Sequence, residues 1–195
     1  MLRLPSFLRN SLLVFACVAL SACDGGASAD TLHTPPALNA SDAGFVQSVM
    51  GNCVLAFPDI AKIEAAAKAS RWKLVTDPSV IAMIAPEEKG GRWKTWGVKQ
   101  GNSRHILYIG DNLIGQKPIK FCGAITEVED VDSMAAHLAG LLKAKQEDTL
   151  EEAGQRTRIY SFKDAEEPRI LSILDANAMQ MKMINVSVTT DWRTK

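Results

Sequence analysis

Residues 119–142 read Ile-Lys-Phe-Cys-Gly-Ala-Ile-Thr-Glu-Val-Glu-Asp-Val-Asp-Ser-Met-Ala-Ala-His-Leu-Ala-Gly-Leu-Leu, and within them the apolar period changes from two to between three and four. The first part predicts a strand over 119–128. Alternation puts Ile119, Phe121, Gly123 and Ile125 on one face and Lys120, Cys122 and Ala124 on the other. Both faces carry apolar residues, so either both are partly covered or Gly123 marks a bulge that turns the register. The second part predicts a helix capped by Asp130, with Val131, Met134, Leu138, Leu141 and Leu142 on one stripe. Lys143 and Lys145 fall near its end, where the helix dipole favours cations.

Upstream, 93–100 and 104–110 read as a hairpin across Gly101-Asn102-Ser103. Before it, Ser41 or Asp42 caps a helix whose apolar side is Phe45, Val46, Val49, Met50, Cys53, Val54 and Phe57, and Pro58 stops it. Asp59 caps an alanine-rich helix over 60–70, followed by a short strand over 72–75. Asp77-Pro78 starts a short helix that ends at Pro86, and 87–91 is an exposed turn. Downstream of the central helix, 147–154 reads as a charged connection. Strands follow over 158–163, 169–174 and 181–190, with turns at 164–168 and 175–177. The last strand changes phase between Met183 and Ile184, which calls for a bulge or burial on two sides. The expected fold is α+β, an antiparallel sheet with helices packed on it in the rough order α-α-β-β-β-α-β-β-β.

The N-terminus bears on location. Arg3 and Arg9 precede an apolar run over 12–20, shorter than the about 20 residues a spanning helix needs. The run closes on Leu20-Ser21-Ala22-Cys23, small residues before a cysteine nucleophile. This tetrapeptide resembles the lipobox of bacterial lipoproteins. The resemblance implies a signal peptide over 1–22, cleavage before Cys23, and acylation of the Cys23 thiol and new amine. Asp24 resembles the residue that keeps enteric lipoproteins at the inner membrane, and so implies the periplasmic face of that membrane, rather than the outer membrane, in a Gram-negative cell envelope. Ala27-Ser28-Ala29 is the alternative site, and cutting there would release a soluble chain beginning at Asp30. Residues 23–40, rich in Gly, Ser, Ala and Pro, form a tether with a root-mean-square reach of about 20–25 Å. Residues 41–195 are left as one globular domain.

Cysteine use fits export. Cys17 leaves with the leader and Cys23 takes lipid, so Cys53 and Cys122 remain and are expected to pair in an oxidising compartment; two buried thiols are the alternative. A Cys-x-x-x-x-Pro helix end at Cys53 to Pro58 and a Cys-bearing strand that feeds a helix resemble small exported bacterial proteins, from which no active-site residue carries over.

With the two leader arginines removed, 20 basic residues face 22 acidic ones. A formal −2 with no basic block gives no basis for nucleic-acid binding. Walker, HExxH, GxSxG and GxGxxG patterns are absent, and nothing calls for a metal or cofactor. Two tripeptides, Arg71-Trp72-Lys73 and Arg92-Trp93-Lys94, with Trp96 beyond the second, suggest a binding surface of aromatic area and cations for an envelope protein, a glycan or a headgroup. The bland reading makes these core or half-buried tryptophans, and alternation keeps Trp93 and Trp96 off one face. Glu127, Glu129, Asp130 and Asp132 are the densest carboxylates, but they lack the spacing of a calcium loop. The leading expectation is a membrane-tethered, non-catalytic binding module. The alternative is an envelope enzyme with a site near His105 or His137.

Overall fold

The computed structural model describes residues 37–84, 92–114, 117–176 and 180–190. The leader, Cys23, most of the tether, the Pro86 stop, the turn at 87–91 and Asn177 lie outside them.

Asn39 opens α1 (Ala40–Ser48) by accepting from the Ser41 and Asp42 amides at 2.9 Å each. The cap therefore precedes the two residues read as capping candidates, whose amides are the donors that a cap must satisfy. The helix runs on as a π-helical segment, Val49–Ala56. There the Asn52 side-chain amide donates to the Ser48 carbonyl at 2.9 Å. The wider turn suits apolar residues repeated every four, and Phe45, Val49, Cys53 and Phe57 are all buried. Asp59 caps α2 (Ile60–Ala69) through the Lys62 amide.

The remaining elements are β1 (Lys73–Leu74), α3 (Pro78–Ile84), β2 (Arg92–Gln100), β3 (Ser103–Ile114), β4 (Lys117–Glu127), α4 (Val131–Leu141), β5 (Lys145–Glu152), β6 (Gln155–Asp164), β7 (Glu167–Ala176) and β8 (Met181–Thr190). The strands form one eight-stranded antiparallel sheet in the order β1-β2-β3-β4-β8-β7-β6-β5. The α+β layout is thus an antiparallel sheet with helices, and α4 carries the chain from the middle of the sheet to its far edge. A meander then returns until β8 pairs with β4.

Several readings are corrected. The connection at 147–154 is strand β5 and its turn; all eight strand residues are exposed, so no apolar alternation marks it. Its presence puts four strands after α4 instead of three. The turn at 164–168 narrows to Ala165-Glu166, both at positive φ (46° and 70°) as a two-residue hairpin loop requires. Asp175 and Ala176 continue β7 rather than turning. In the β2–β3 hairpin the loop is Gly101-Asn102 alone, with Gln100 opposite Ser103. Lys145 begins β5 instead of closing α4, and Leu141 on α4 is 51% exposed.

Both faces of the sheet carry apolar clusters. On the helical side, Cys122 and Ala124 of β4 and Ile184, Val186 and Val188 of β8 pack with residues of α1, the π-helical segment, α2 and α4. On the second face, Tyr108, Ile119, Phe121 and Ile125 gather with Ile84, Trp93 and Met183. Met183 and Ile184 therefore serve opposite faces, which accounts for the phase change. Gly123 makes no bulge, since the β3–β4 and β4–β8 registers run through it unbroken. It is bare because the Tyr108 ring lies over it: a Cβ there would come within 2.3 Å of the ring. Gly110 stands in the same relation to Phe121.

Two links fasten the helices to this sheet. A disulfide joins Cys53 to Cys122 across 69 residues and ties the π-helical segment to β4. At the other end, Arg158 donates to Asp132 of α4 at 2.7 Å and to Asp175 of β7 at 2.8 Å. Arg156 reaches the same two carboxylates. Asp175 is 1% exposed, so its charge sits between two guanidinium groups away from water.

Closing a loop of this length removes about 4 kcal/mol of unfolded-chain entropy. Replacing both cysteines by alanine should lower unfolding free energy in urea by about 3–5 kcal/mol with the far-ultraviolet spectrum unchanged. A loss under about 1 kcal/mol would show that the bridge does not restrain the unfolded chain.

Candidate functional site

Helix α2 ends in a Schellman arrangement that sets the position of Arg71 and Trp72. The Trp72 amide donates to the Ala67 carbonyl at 2.9 Å and the Arg71 amide to the Lys68 carbonyl at 3.2 Å. Arg71 occupies the left-handed position, φ 54°, where glycine is usual. Trp72 follows and packs against the core, its ring 6.3 Å from that of Trp96. β1 then carries Lys73 alongside Gly97 of β2.

From this corner a cleft of about 1010 Å³ runs between α3 and the sheet, lined by Arg71, Trp72 and Lys73, by Val80 and Ile84 of α3, and by residues of β2, β3, β4 and β8. Lys99 and Arg104 lie in it as direct cross-strand partners on β2 and β3. Like charges in that relation repel, so the sheet is less stable for having them. Among the described residues, Arg71, Lys73, Lys99 and Arg104 are in no ion pair. Glu127 is the one carboxylate among the described lining residues. Ile106, Ile125 and Met183 give the cleft an apolar side. A Cβ at Gly97 would have only the Lys73 carbonyl oxygen near it, at 4.0 Å, so that glycine leaves open space.

A second hollow of about 740 Å³ holds Arg92, Trp93 and Lys94 together with Asp59, Glu64, Asp111 and Lys120. Its charges are largely matched. Arg92 donates from Nε and Nη2 to Asp111, which raises the guanidinium pKa and lowers that of the carboxylate. Lys94 pairs with Glu64 at 2.7 Å, and Lys120 donates to the Pro58 carbonyl at 3.3 Å. An anion entering here must displace existing partners, whereas in the first cleft it meets cations in no ion pair among the described residues. The first cleft is the better candidate site.

The two repeated tripeptides meet in part, since a third hollow of about 560 Å³ is lined by Arg71 and Trp72 together with Lys94 and Trp96. Arg71, Trp72 and Lys73 line the first cleft, and Arg92 and Trp93 line the second hollow. Trp93 lies on the second sheet face with its ring 4.1 Å from that of Phe121, and Trp96 is buried on the helical side. Lys99 and Arg104 were missed. A three-residue loop at 101–103 would set Gln100 opposite Arg104, and only the two-residue loop brings Lys99 there. The signal was available in Gly101, which at φ 56° fills the first loop position of a type II′ turn.

His105 bridges helix and sheet. Its Nε2 is 2.8 Å from Ser48 Oγ, its Nδ1 is 3.1 Å from Ser103 Oγ, and Phe45 meets its ring edge-on at 5.6 Å. Burial lowers its pKa to about 4, so the ring is neutral at pH 7. Ser48 is itself buried, and the hydrogen-bond partners of His105 are two hydroxyls and no carboxylate. That is the setting of a satisfied core histidine rather than of a general base that raises a serine to nucleophile. His137 sits on α4, half-buried, with Nδ1 lacking a hydrogen-bond partner among the described residues. In the acidic run, Asp130 accepts from the Asp132 and Ser133 amides as the α4 cap, and Asp132 holds Arg156 and Arg158. Among the described residues no group of three or more His, Cys, Asp or Glu side chains converges to hold a metal.

No protein-family model, curated protein or solved structure matches this chain.

The unfolded histidine titrates near 6.5 and the folded one near 4, so between these values the unfolded chain binds more protons. The His105 contribution is complete above pH 6.5 and lost as pH falls to about 4, amounting to about 3 kcal/mol. Urea midpoints at pH 7 and pH 4.5 should differ less in His105→Gln than in the wild type; equal differences would remove His105 as the cause. Arg71→Gly should raise unfolding free energy by about 1 kcal/mol, because glycine takes the left-handed conformation without strain. Thermal unfolding of the two proteins checks this, and a lower midpoint for the glycine variant would contradict it.

Proposed function

We propose that the protein is a periplasmic lipoprotein of a Gram-negative cell envelope, cut after residue 22, acylated at Cys23, and tethered by 23–40 to the inner membrane at its periplasmic face. Its domain, residues 41–195, is a non-catalytic binding module for an anionic envelope component, whether a protein, a glycan or a headgroup. The observation that carries this reading is the convergence of Arg71, Lys73, Lys99 and Arg104 in one cleft without carboxylate partners among the described residues. Keeping like charges side by side lowers the stability of the folded state, and an anionic partner relieves it. Trp72 at the same corner supplies apolar area and a face for stacking. The tether supports the arrangement, since a reach of about 20–25 Å keeps a small domain beside the membrane while leaving it free to turn toward a partner. Several acyl chains at about 0.8 kcal/mol per buried methylene make such attachment effectively permanent.

Two measurements test the proposal. Mass spectrometry of the mature N-terminus should show a diacylglyceryl thioether and an acylated amine on Cys23; an unmodified chain beginning at Asp30 would overturn the anchor. A photo-reactive side chain at position 73 should crosslink in living cells to an envelope component that a probe at Thr149 of β5 does not reach. Identical products from both positions would overturn the cleft as the binding surface.

A further inference from the structure

We propose, building on the reading of the cleft as a binding site, that its ligand is an anionic amphiphile. A phosphate-class head is held by Lys99 and Arg104, and an aliphatic portion lies along Ile106, Ile125 and Met183. Lys99 and Arg104 face each other across β2 and β3, so one tetrahedral anion between them neutralises both and turns a repulsion into two charge-assisted contacts. Two residues further along each strand, on the same face, Ile106 stands opposite Gly97 on β2 and opposite Ile125 on β4. Charge therefore gives way to apolar surface within about 7 Å along the strand. Met183 extends that surface on β8, and Val80 and Ile84 of α3 bound it from the other side. A simple anion such as inorganic phosphate would use the cations and none of the apolar surface that half-buried Ile106 and Met183 still offer. A neutral lipid would use the apolar side and leave the cations facing each other. Only a ligand with both parts uses the whole cleft, and its volume of about 1010 Å³ is large enough for one. Gly97, next to Lys99 on the same face of β2 and opposite Ile106, keeps the floor beside both parts free of side chain, and its own backbone does not require a glycine, since a Cβ would clash with nothing. The cleft needs that position bare, although the strand does not.

The test uses the full mature chain in phosphatidylcholine nanodiscs, titrated with dihexanoyl phosphatidic acid, dihexanoyl phosphatidylcholine and inorganic phosphate, and read by calorimetry and by the summed emission of the four tryptophans. The phosphatidic acid should bind at least about tenfold more tightly than either of the others. Lys99→Gln combined with Arg104→Gln should weaken it by about tenfold or more. Gly97→Leu should abolish binding with the thermal midpoint unchanged or raised. Equal affinity for inorganic phosphate would overturn the amphiphile and leave a simple anion site. Failure of all three probes, with crosslinks from position 73 intact, would overturn the amphiphile while the binding module stands. Binding that ignores all the substitutions would place the ligand elsewhere and overturn the proposal.

Discussion

Strand β4 is bonded to a neighbour along both edges and packed on both faces, and this double confinement fixes the rest of the molecule. Its edges meet β3 and β8, so it is the seam where the N-terminal strands join the returning meander. On the helical face Cys122 is tied covalently to the π-helical segment, so the first helical layer cannot lift off without bending the central strand. On the other face Phe121 and Gly123 interlock with Gly110 and Tyr108, ring over glycine in both directions. The Tyr108 hydroxyl donates to Asn185 of β8 at 2.7 Å, which carries the interlock across the seam. Burial raises the pKa of this phenol, so the group stays neutral and remains a donor.

Charge is handled in two opposite ways. At α4 it is matched group for group: Asp132 and Asp175 face Arg156 and Arg158, and the helix start is held over β6 and β7 by interactions that lose several kcal/mol if one partner is removed. In the cleft beside α3 no ion pair forms among the described residues, with Lys99 across from Arg104 and Arg71 in a backbone conformation that most side chains avoid. The four cleft cations are exposed, so solvent carries their charge, whereas Asp175 is 1% exposed and needs partners within the protein.

Much of the architecture was legible in the residues. The strand-to-helix switch at 119–142 and the caps at Asp59, Asp77 and Asp130 rest on local chemistry that the fold preserves, and the long-range pair Cys53–Cys122 was legible only because the other two cysteines were accounted for. What escaped was decided by non-local pairing. β5 has no apolar side, so its only signal is the hydrogen-bonding edge of β6, which no window of sequence contains. Asp175 looks like a turn residue until Arg156 and Arg158 are seen beside it. The cleft was half legible: Arg71, Trp72 and Lys73 are contiguous, but Lys99 and Arg104 meet only once the hairpin loop is two residues long. Trp93 and Trp96 belonged to packing on opposite faces, as alternation along a strand demands.

The outermost strand has a consequence for how copies of the protein behave near one another. β5 ends the sheet with Glu147, Asp148, Glu151 and Glu152 and with no side chain buried on either face. An open edge of this kind is where sheets from two molecules would fuse into a continuous ribbon. Bringing two such edges together sets eight carboxylates along one seam, and the row of hydration that each keeps must be stripped before any backbone bond forms. The acidic strand is thus a built-in barrier to self-assembly, placed at the terminal strand of the described sheet.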